Sequence, residues 1–240
     1  KNAALLFDTD NEKVETLLSI KIGTVEDNLC LSRIPGDERS KICTPQETLK
    51  NGSDIATLVA HAFREMAKAS DIAIQNGGGV RTDISSGDIT MGDAYKLLPF
   101  ANTLVEMDMS GAEIKLVLEE AIEYALQPDG SDGAFPYAAG LRWHVDSTRA
   151  SGNRLSKMEY KGRSDADWVP LNMEKMYRIV TNNYIAAGRD GYLSFKTVKD
   201  DGRFEDTYLD YAQSFVDYVK DRGSIAKLPF SEYSTQSFVK

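Results

Sequence analysis

The stretch that most constrains the fold is residues 103–125, TLVEMDMSGAEIKLVLEEAIEYA, because its apolar period changes in the middle. Thr103 to Met109 reads with the two-residue period of a strand that buries one face. Beyond Ser110 the apolar residues Ile114, Leu118, Ala121, Ile122 and Ala125 recur at the three- and four-residue spacing of one helix face. Ser110 and Glu113 form a capping box, which starts the helix where the period changes. A strand that passes straight into an amphipathic helix has two apolar faces to bury, and a sheet with helices packed on it buries both.

The same pattern recurs along the chain. Residues 20–25 (IKIGTV) alternate as a strand. Ser53 caps a helix that turns Ile55, Leu58, Val59, Ala62 and Met66 to one side. Residues 71–74 (DIAI) form a short buried strand, and MGDAYKLL a short helix ending before Pro99. LRWHVDS and KMEYKG read as paired strands, MYRIVTNNYIA as another. TYLDYAQSFVDYVKD reads as a helix with Leu209, Ala212, Phe215, Val216 and Val219 inward. Residues 30–52, 82–90, 127–140 and 186–203 are polar or glycine-rich and read as loops. With no internal repeat and no long linker, 240 residues of this kind predict one compact α+β domain with a mixed sheet and packed helices.

Charge and composition exclude several functions. A net charge of −9 opposes non-specific binding to nucleic acid, which needs a broad basic surface. A small phosphorylated ligand needs only one or two local arginines. No run of 18 apolar residues is present, so no membrane span is expected. The two histidines, His61 and His144, do not stand at zinc-ligand spacing from Cys30 and Cys43. The cysteines bracket a polar, turn-rich segment, LSRIPGDERSKI. A bridge between them would contribute about 3 kcal/mol by loop closure and would imply an oxidising compartment. Two reduced, unrelated thiols are the alternative.

Three segments carry candidate chemistry. In AIQNGGGVRTD, three consecutive glycines stand between Asn76 and Arg81. Glycine loses more backbone freedom on folding than any other residue, so such a run needs a reason. The run lacks the Gly-Lys-Ser/Thr of a phosphate loop, and no helical period follows it. Either a ligand approaches bare backbone there, with Gly78 and Gly79 closest, or a turn needs a positive φ. In LLPFANTL, Phe100 is either a core residue or an aromatic platform beside Asn102. In TNNYIAAGRDGY, Asp190 is either a turn residue before glycine or an acceptor for sugar hydroxyls.

QNGGGVR, LPFANTL and TNNYIAAGRDGY, in this order and at this spacing, resemble the C-terminal, substrate-binding domain of the 5′-nucleotidase and UDP-sugar hydrolase family. The resemblance covers nearly the whole chain, and the segment LCLSRIPGDERSKICTP looks most like the bacterial periplasmic NAD nucleotidases. It implies that Phe100 and Tyr184 sandwich the base, Tyr184 standing where some members have phenylalanine. It implies that Asn76 and Arg81 flank the ligand, with Arg81 on phosphate, Asn102 at the base edge and Asp190 on the ribose. Gly140 is expected to offer backbone near the base. A further phosphate arginine has no direct match, and Arg33 and Arg39 are its candidates.

The resemblance implies hydrolysis of phosphate esters with two divalent metal ions in an N-terminal metallophosphoesterase domain, whose Asp-x-His and Gly-Asn-His-Glu motifs are absent here. Residues 1–20 are therefore expected to be a linker helix from such a domain, and residues 21–240 a nucleotide-binding domain without catalytic or metal residues. Adenosine, AMP and NAD are the implied ligands, the chain's own N-terminal domain the implied partner, and the periplasm or cell exterior the implied location. A free-standing nucleotide-binding module that never had a catalytic partner is the alternative.

Overall fold

A computed structural model of the chain describes residues 13–240. Most of the expected linker, residues 1–12, lies outside the described residues; 13–18 are helical. Strand β1 (Lys21–Val25) follows. The segment after it has no long element up to helix α1 (Asp54–Met66), whose Ser53 side chain accepts from the Ala56 amide as an N-cap. Next come β2 (Ile72–Asn76), β3 (Gly87–Thr90), helix α2 (Met91–Leu97) and β4 (Thr103–Ser110). Helix α3 (Gly111–Leu126) starts at the Ser110/Glu113 capping box expected from sequence. Strands β5 (Pro136–Ala139), β6 (Leu141–Asp146), β7 (Leu155–Tyr160), β8 (Val169–Pro170) and β9 (Met176–Asn182) lead to helix α4 (Leu193–Asp200). The chain continues through β10 (Phe204–Asp210), helix α5 (Tyr211–Arg222), β11 (Ser224–Ile225) and β12 (Thr235–Val239).

The strands form three sheets, ordered β11-β1-β3, β10-β4-β9-β2-β5 and β12-β6-β7-β8. The five-stranded sheet is the centre. In it β2 and β9 run parallel, while β4 lies antiparallel to β9 and β5 antiparallel to β2. Every residue of β2 is buried, so both faces of this strand are covered. Helix α1 packs on β2, β5 and β9; α3 and α4 pack on β4; α5 packs on α1. Together these elements make one compact α+β domain with mixed sheets and packed helices.

Four local expectations differ. Residues 87–90 form the edge strand β3 rather than loop, with Gly87 and Asp88 exposed, so no apolar period marks it. Residues 136–139 form β5, which begins on a proline, the position where a missing amide costs the ladder least. Helix α4 occupies 193–200 but buries only Phe195 and Val198, too few for a visible period. The single helix expected over 207–221 is a strand followed by a helix. Asp210 caps α5 by accepting from the Gln213 amide, and Leu209 belongs to β10.

Cys30 and Cys43 are joined in a disulfide with a Cα–Cα distance of 5.8 Å. The loop it closes is tied down at both ends. The buried carboxylate of Asp54 accepts from the Cys30 amide at 3.1 Å and the Tyr233 hydroxyl at 2.6 Å, and pairs with Lys227 at 3.0 Å. Asp83 accepts from the Leu31 amide at 2.6 Å, the Ser40 hydroxyl at 2.7 Å and the Lys41 amide at 2.8 Å.

Candidate functional site

One edge of the central sheet collects all three sequence segments. Because β2 and β9 are parallel neighbours, their carboxyl ends, Asn76 and Asn182, emerge side by side. The antiparallel register Leu104↔Asn182 brings the amino end of β4, with Phe100 and Asn102, to the same edge. The register Asn76↔Pro136 does the same for the turn before β5. Carboxyl ends of adjacent parallel strands are where open α/β sheets leave room for ligands.

A cleft of about 280 Å³ opens at this edge. Asn76, Gly78, Gly79 and Arg81 line it from the β2 end, Phe100 and Asn102 from the β4 end, and Tyr184 and Asp190 from the β9 end. Arg33 reaches it from the disulfide loop. Phe100 and Tyr184 are 44% and 43% exposed, so neither ring is a core residue. The two rings border one cleft although 84 positions separate them.

The three glycines form one 3₁₀ turn, Gly77–Gly79, and none of them has a positive φ. Protein packing leaves no room for a side chain at Gly79 and little at Gly78. A Cβ on Gly79 would lie 2.2 Å from Gln75 Nε2 and 2.4 Å from the Tyr211 hydroxyl. A Cβ on Gly78 would lie 3.0 Å from the Cα of Gly133, on the turn Asp132–Ala134. Neither the ligand approach nor the positive φ considered from sequence is what excludes a side chain from Gly79. A buried polar network takes that space: Gln75 Nε2 donates to the Tyr211 hydroxyl at 3.0 Å, which donates to the Gly79 carbonyl at 2.8 Å.

The same network fixes the asparagine and aspartate. Asn182 Nδ2 donates to Asn76 Oδ1 at 3.1 Å and to Gln75 Oε1 at 3.0 Å, while its own Oδ1 accepts from the Ile185 amide. Asn76 Nδ2 is thereby turned to donate to Asp190 Oδ2 at 2.8 Å. Tyr184 donates its hydroxyl to Asp190 Oδ1 at 3.0 Å. Partial burial, and then this bond to Asp190, raise the Tyr184 hydroxyl above its ordinary pKa, so it remains a donor. Asp190 adopts φ 53° and ψ 33°, a left-handed conformation that aspartate tolerates better than most residues.

The basic groups divide into two sets. Arg81 Nη1 donates to the Gly78 carbonyl at 3.1 Å, and its guanidinium lies 5.8 Å from the Phe100 ring centroid. Among the described residues it has no carboxylate within ion-pair distance. Arg33 and Arg39 share Asp132 instead, at 2.6 Å and 2.5 Å. Burial pulls the Asp132 carboxyl upward, but the guanidiniums of Arg39 and Arg33 outweigh it and hold it below its ordinary value.

Two residues singled out from sequence do not line the cleft. Gly140 sits between β5 and β6 with φ +74°, and a Cβ there would lie 2.4 Å from the Asp71 carbonyl oxygen. It is a turn glycine at the opposite end of β5 from the cleft. Arg39 lies behind Asp132, outside the lining. Two lining residues were missed, Ser131 and Gly133. The segment PDGSDGAF signals only a turn, and nothing in its composition says that it faces Asn76.

Among the described residues, the one grouping of histidine, cysteine or carboxylate side chains close enough to share a metal is Cys30, Cys43 and Glu47. Its two sulfurs are bonded to each other and are not thiolate ligands. The described residues thus offer no donor set for a pair of divalent ions.

The sequence matches the family described as 5′-nucleotidase, C-terminal domain, over residues 21–199. NAD 5′-nucleotidase of Haemophilus influenzae is 40% identical over 212 residues, covering 87% of this chain and 34% of that protein. A probable 5′-nucleotidase of Treponema pallidum is 45% identical over 151 residues, 62% of this chain and 25% of its own length. The chain therefore spans about a third or less of these relatives. Among solved structures, Haemophilus influenzae NAD nucleotidase superposes with a TM-score of 0.82 at 32% identity, covering 99% of this chain and 41% of that one. The 5′-nucleotidase precursor of Thermus thermophilus gives 0.78 at 31% identity, covering 99% and 42%. The family match over residues 21–199 and the backbone superposition over 99% of the chain agree, and on that ground it belongs to the 5′-nucleotidase C-terminal domain family.

Proposed function

We propose that this chain is the substrate-binding domain of a nucleotide-hydrolysing enzyme, and that the cleft holds a nucleoside or nucleotide such as adenosine, AMP or the adenylate half of NAD. The observation that carries this reading is two half-exposed aromatic rings, Phe100 and Tyr184, bordering one cleft beside an arginine with no carboxylate partner among the described residues. Exposed rings on a sheet edge are what a stacked base needs, and stacking contributes about 1–3 kcal/mol per base. Arg81 supplies a planar donor fork for phosphate. Asp190, oriented by Asn76 and Tyr184, presents acceptor oxygens to ribose hydroxyls, and Asn102 offers amide groups to a base edge.

Hydrolysis is not assigned to these residues. In this reading two divalent metal ions act in a preceding N-terminal domain, reached through the linker at residues 1–20, and this chain supplies specificity in a periplasmic or secreted enzyme. The names of the relatives, NAD 5′-nucleotidase and 5′-nucleotidase, support that assignment of reaction class.

The test is titration calorimetry of the 240-residue chain with adenosine and AMP. Both bind, and no phosphate is released with or without added divalent metal. Arg81→Ala weakens AMP more than adenosine, because only AMP carries phosphate. Metal-dependent phosphate release, or no binding of either ligand, refutes the reading.

A further inference from the structure

We propose that Asp132 is a positioning residue for phosphate recognition, clamping Arg33 so that its unengaged Nη2 faces the cleft; this rests on reading the cleft as a nucleotide site. Asp132 stands on the turn whose flanking residues, Ser131 and Gly133, line the cleft, but it does not line the cleft itself. Its two oxygens are divided between two arginines. Oδ1 accepts from Arg33 Nη1 at 2.6 Å, and Oδ2 accepts from Arg39 Nη2 at 2.5 Å and Nε at 3.2 Å.

Arg33 is the better buried of the two, its side chain 14% exposed against 41% for Arg39. Only its Nη1 is engaged: Nε is buried without an acceptor, and Nη2 has none among the described residues. Nε is enclosed by protein, so Nη2 is the donor left for an incoming oxyanion, and pairing it relieves part of the cost of an under-bonded, largely buried cation. A carboxylate facing the phosphate itself would repel it. Placed behind the guanidinium, it selects the rotamer that points Arg33 forward. Asp37 lies 3.9 Å from Arg39 Nε, so two carboxylates balance the two guanidiniums, and the attraction for phosphate rests on the unengaged Nη2 of Arg33 rather than on net charge.

The backbone is arranged for the same purpose. Arg33 lies in the loop closed by the Cys30–Cys43 bridge, and Asp37 accepts from its amide at 2.8 Å. The Arg33–Asp132 bond spans 99 positions and joins that loop to the cleft wall. Arg39 also bonds to the same carboxylate and resists its rotation away from Arg33.

The experiment compares AMP and adenosine binding by calorimetry in the parent 240-residue chain, Asp132→Asn, Arg33→Ala and the double variant. Asp132→Asn weakens AMP about tenfold, as expected when a charge-assisted hydrogen bond to phosphate is pulled out of its proper geometry, and changes adenosine by less than about twofold. In the double variant Asp132→Asn adds almost nothing to Arg33→Ala, because the two act as one unit. Equal losses for both ligands would make Asp132 a plain structural staple and overturn the proposal. Tighter AMP binding would make it a competitor for Arg33 and overturn it too, as would fully additive losses. A parent chain that binds neither ligand refutes the nucleotide reading and the proposal with it. A parent that prefers AMP, with Asp132→Asn keeping that preference, refutes the proposal alone.

Discussion

Replacing Gly79 by alanine tests why the glycine run exists. The new methyl would stand 2.2 Å from Gln75 Nε2 and 2.4 Å from the Tyr211 hydroxyl, distances at which both side chains must move. Gln75 and Tyr211 are fully buried, so they have nowhere to go without strain. Overpacking of this kind costs about 1–3 kcal/mol. Moving them also breaks the Gln75–Tyr211 and Tyr211–Gly79 bonds, each with a net contribution of about 1 kcal/mol. Against this, alanine lowers the entropy of the unfolded chain by about 0.4–1 kcal/mol. The balance is a destabilisation of roughly 2–4 kcal/mol, which for a chain of this size lowers Tm by on the order of 10 °C. Thermal and urea unfolding of the ligand-free chain measure it directly. If the glycine served only to let a ligand approach, the ligand-free variant would be as stable as the parent and only binding would fall. That result would refute the packing argument.

Phe100→Ala and Tyr184→Ala should each weaken adenosine binding by about 1–3 kcal/mol. With nearly half of each ring exposed, the cost to ligand-free stability should stay below the roughly 3–5 kcal/mol expected for a buried ring such as Tyr192, which is the control. Tyr184→Phe should bind almost as well as the parent; a large loss would show that the hydroxyl, rather than the ring face, is used. Bonding to Arg203 holds the Glu113 carboxyl down at about 2, below its ordinary 4.5. Its stabilisation is therefore complete above about pH 4.5 and is lost as pH falls towards 2, so Glu113→Gln should flatten the stability–pH curve in that window; an unchanged curve refutes the assignment. Thiol titration of the denatured, unreduced chain should find no free thiol from Cys30 and Cys43, and two after reduction.

Whatever depends on neighbours in sequence was legible from the start. The Ser53 and Ser110 caps, the apolar faces of α1 and α3, and the alternation of β4 each rest on contacts within a few residues, so composition and spacing reveal them. Strands β3 and β5 and helix α4 were hidden for the opposite reason. Two are edge strands and the third buries only two side chains, so tertiary partners rather than an apolar period hold them. The cleft shows the same division. The residue types around the glycines and at Phe100 left a ligand site and a plain structural role both open, and only the family pattern assigned Phe100 and Tyr184 to a base. Whether Gly133 or Gly140 reaches the cleft is decided by the direction of β5 and its register Asn76↔Pro136, because one glycine precedes that strand and the other follows it. Arg33 and Asp132 are joined only by tertiary structure, across 99 positions. A sequence records which groups are available; pairing between distant strands decides which of them meet, because that pairing depends on the summed burial of both sheet faces and not on any local pattern.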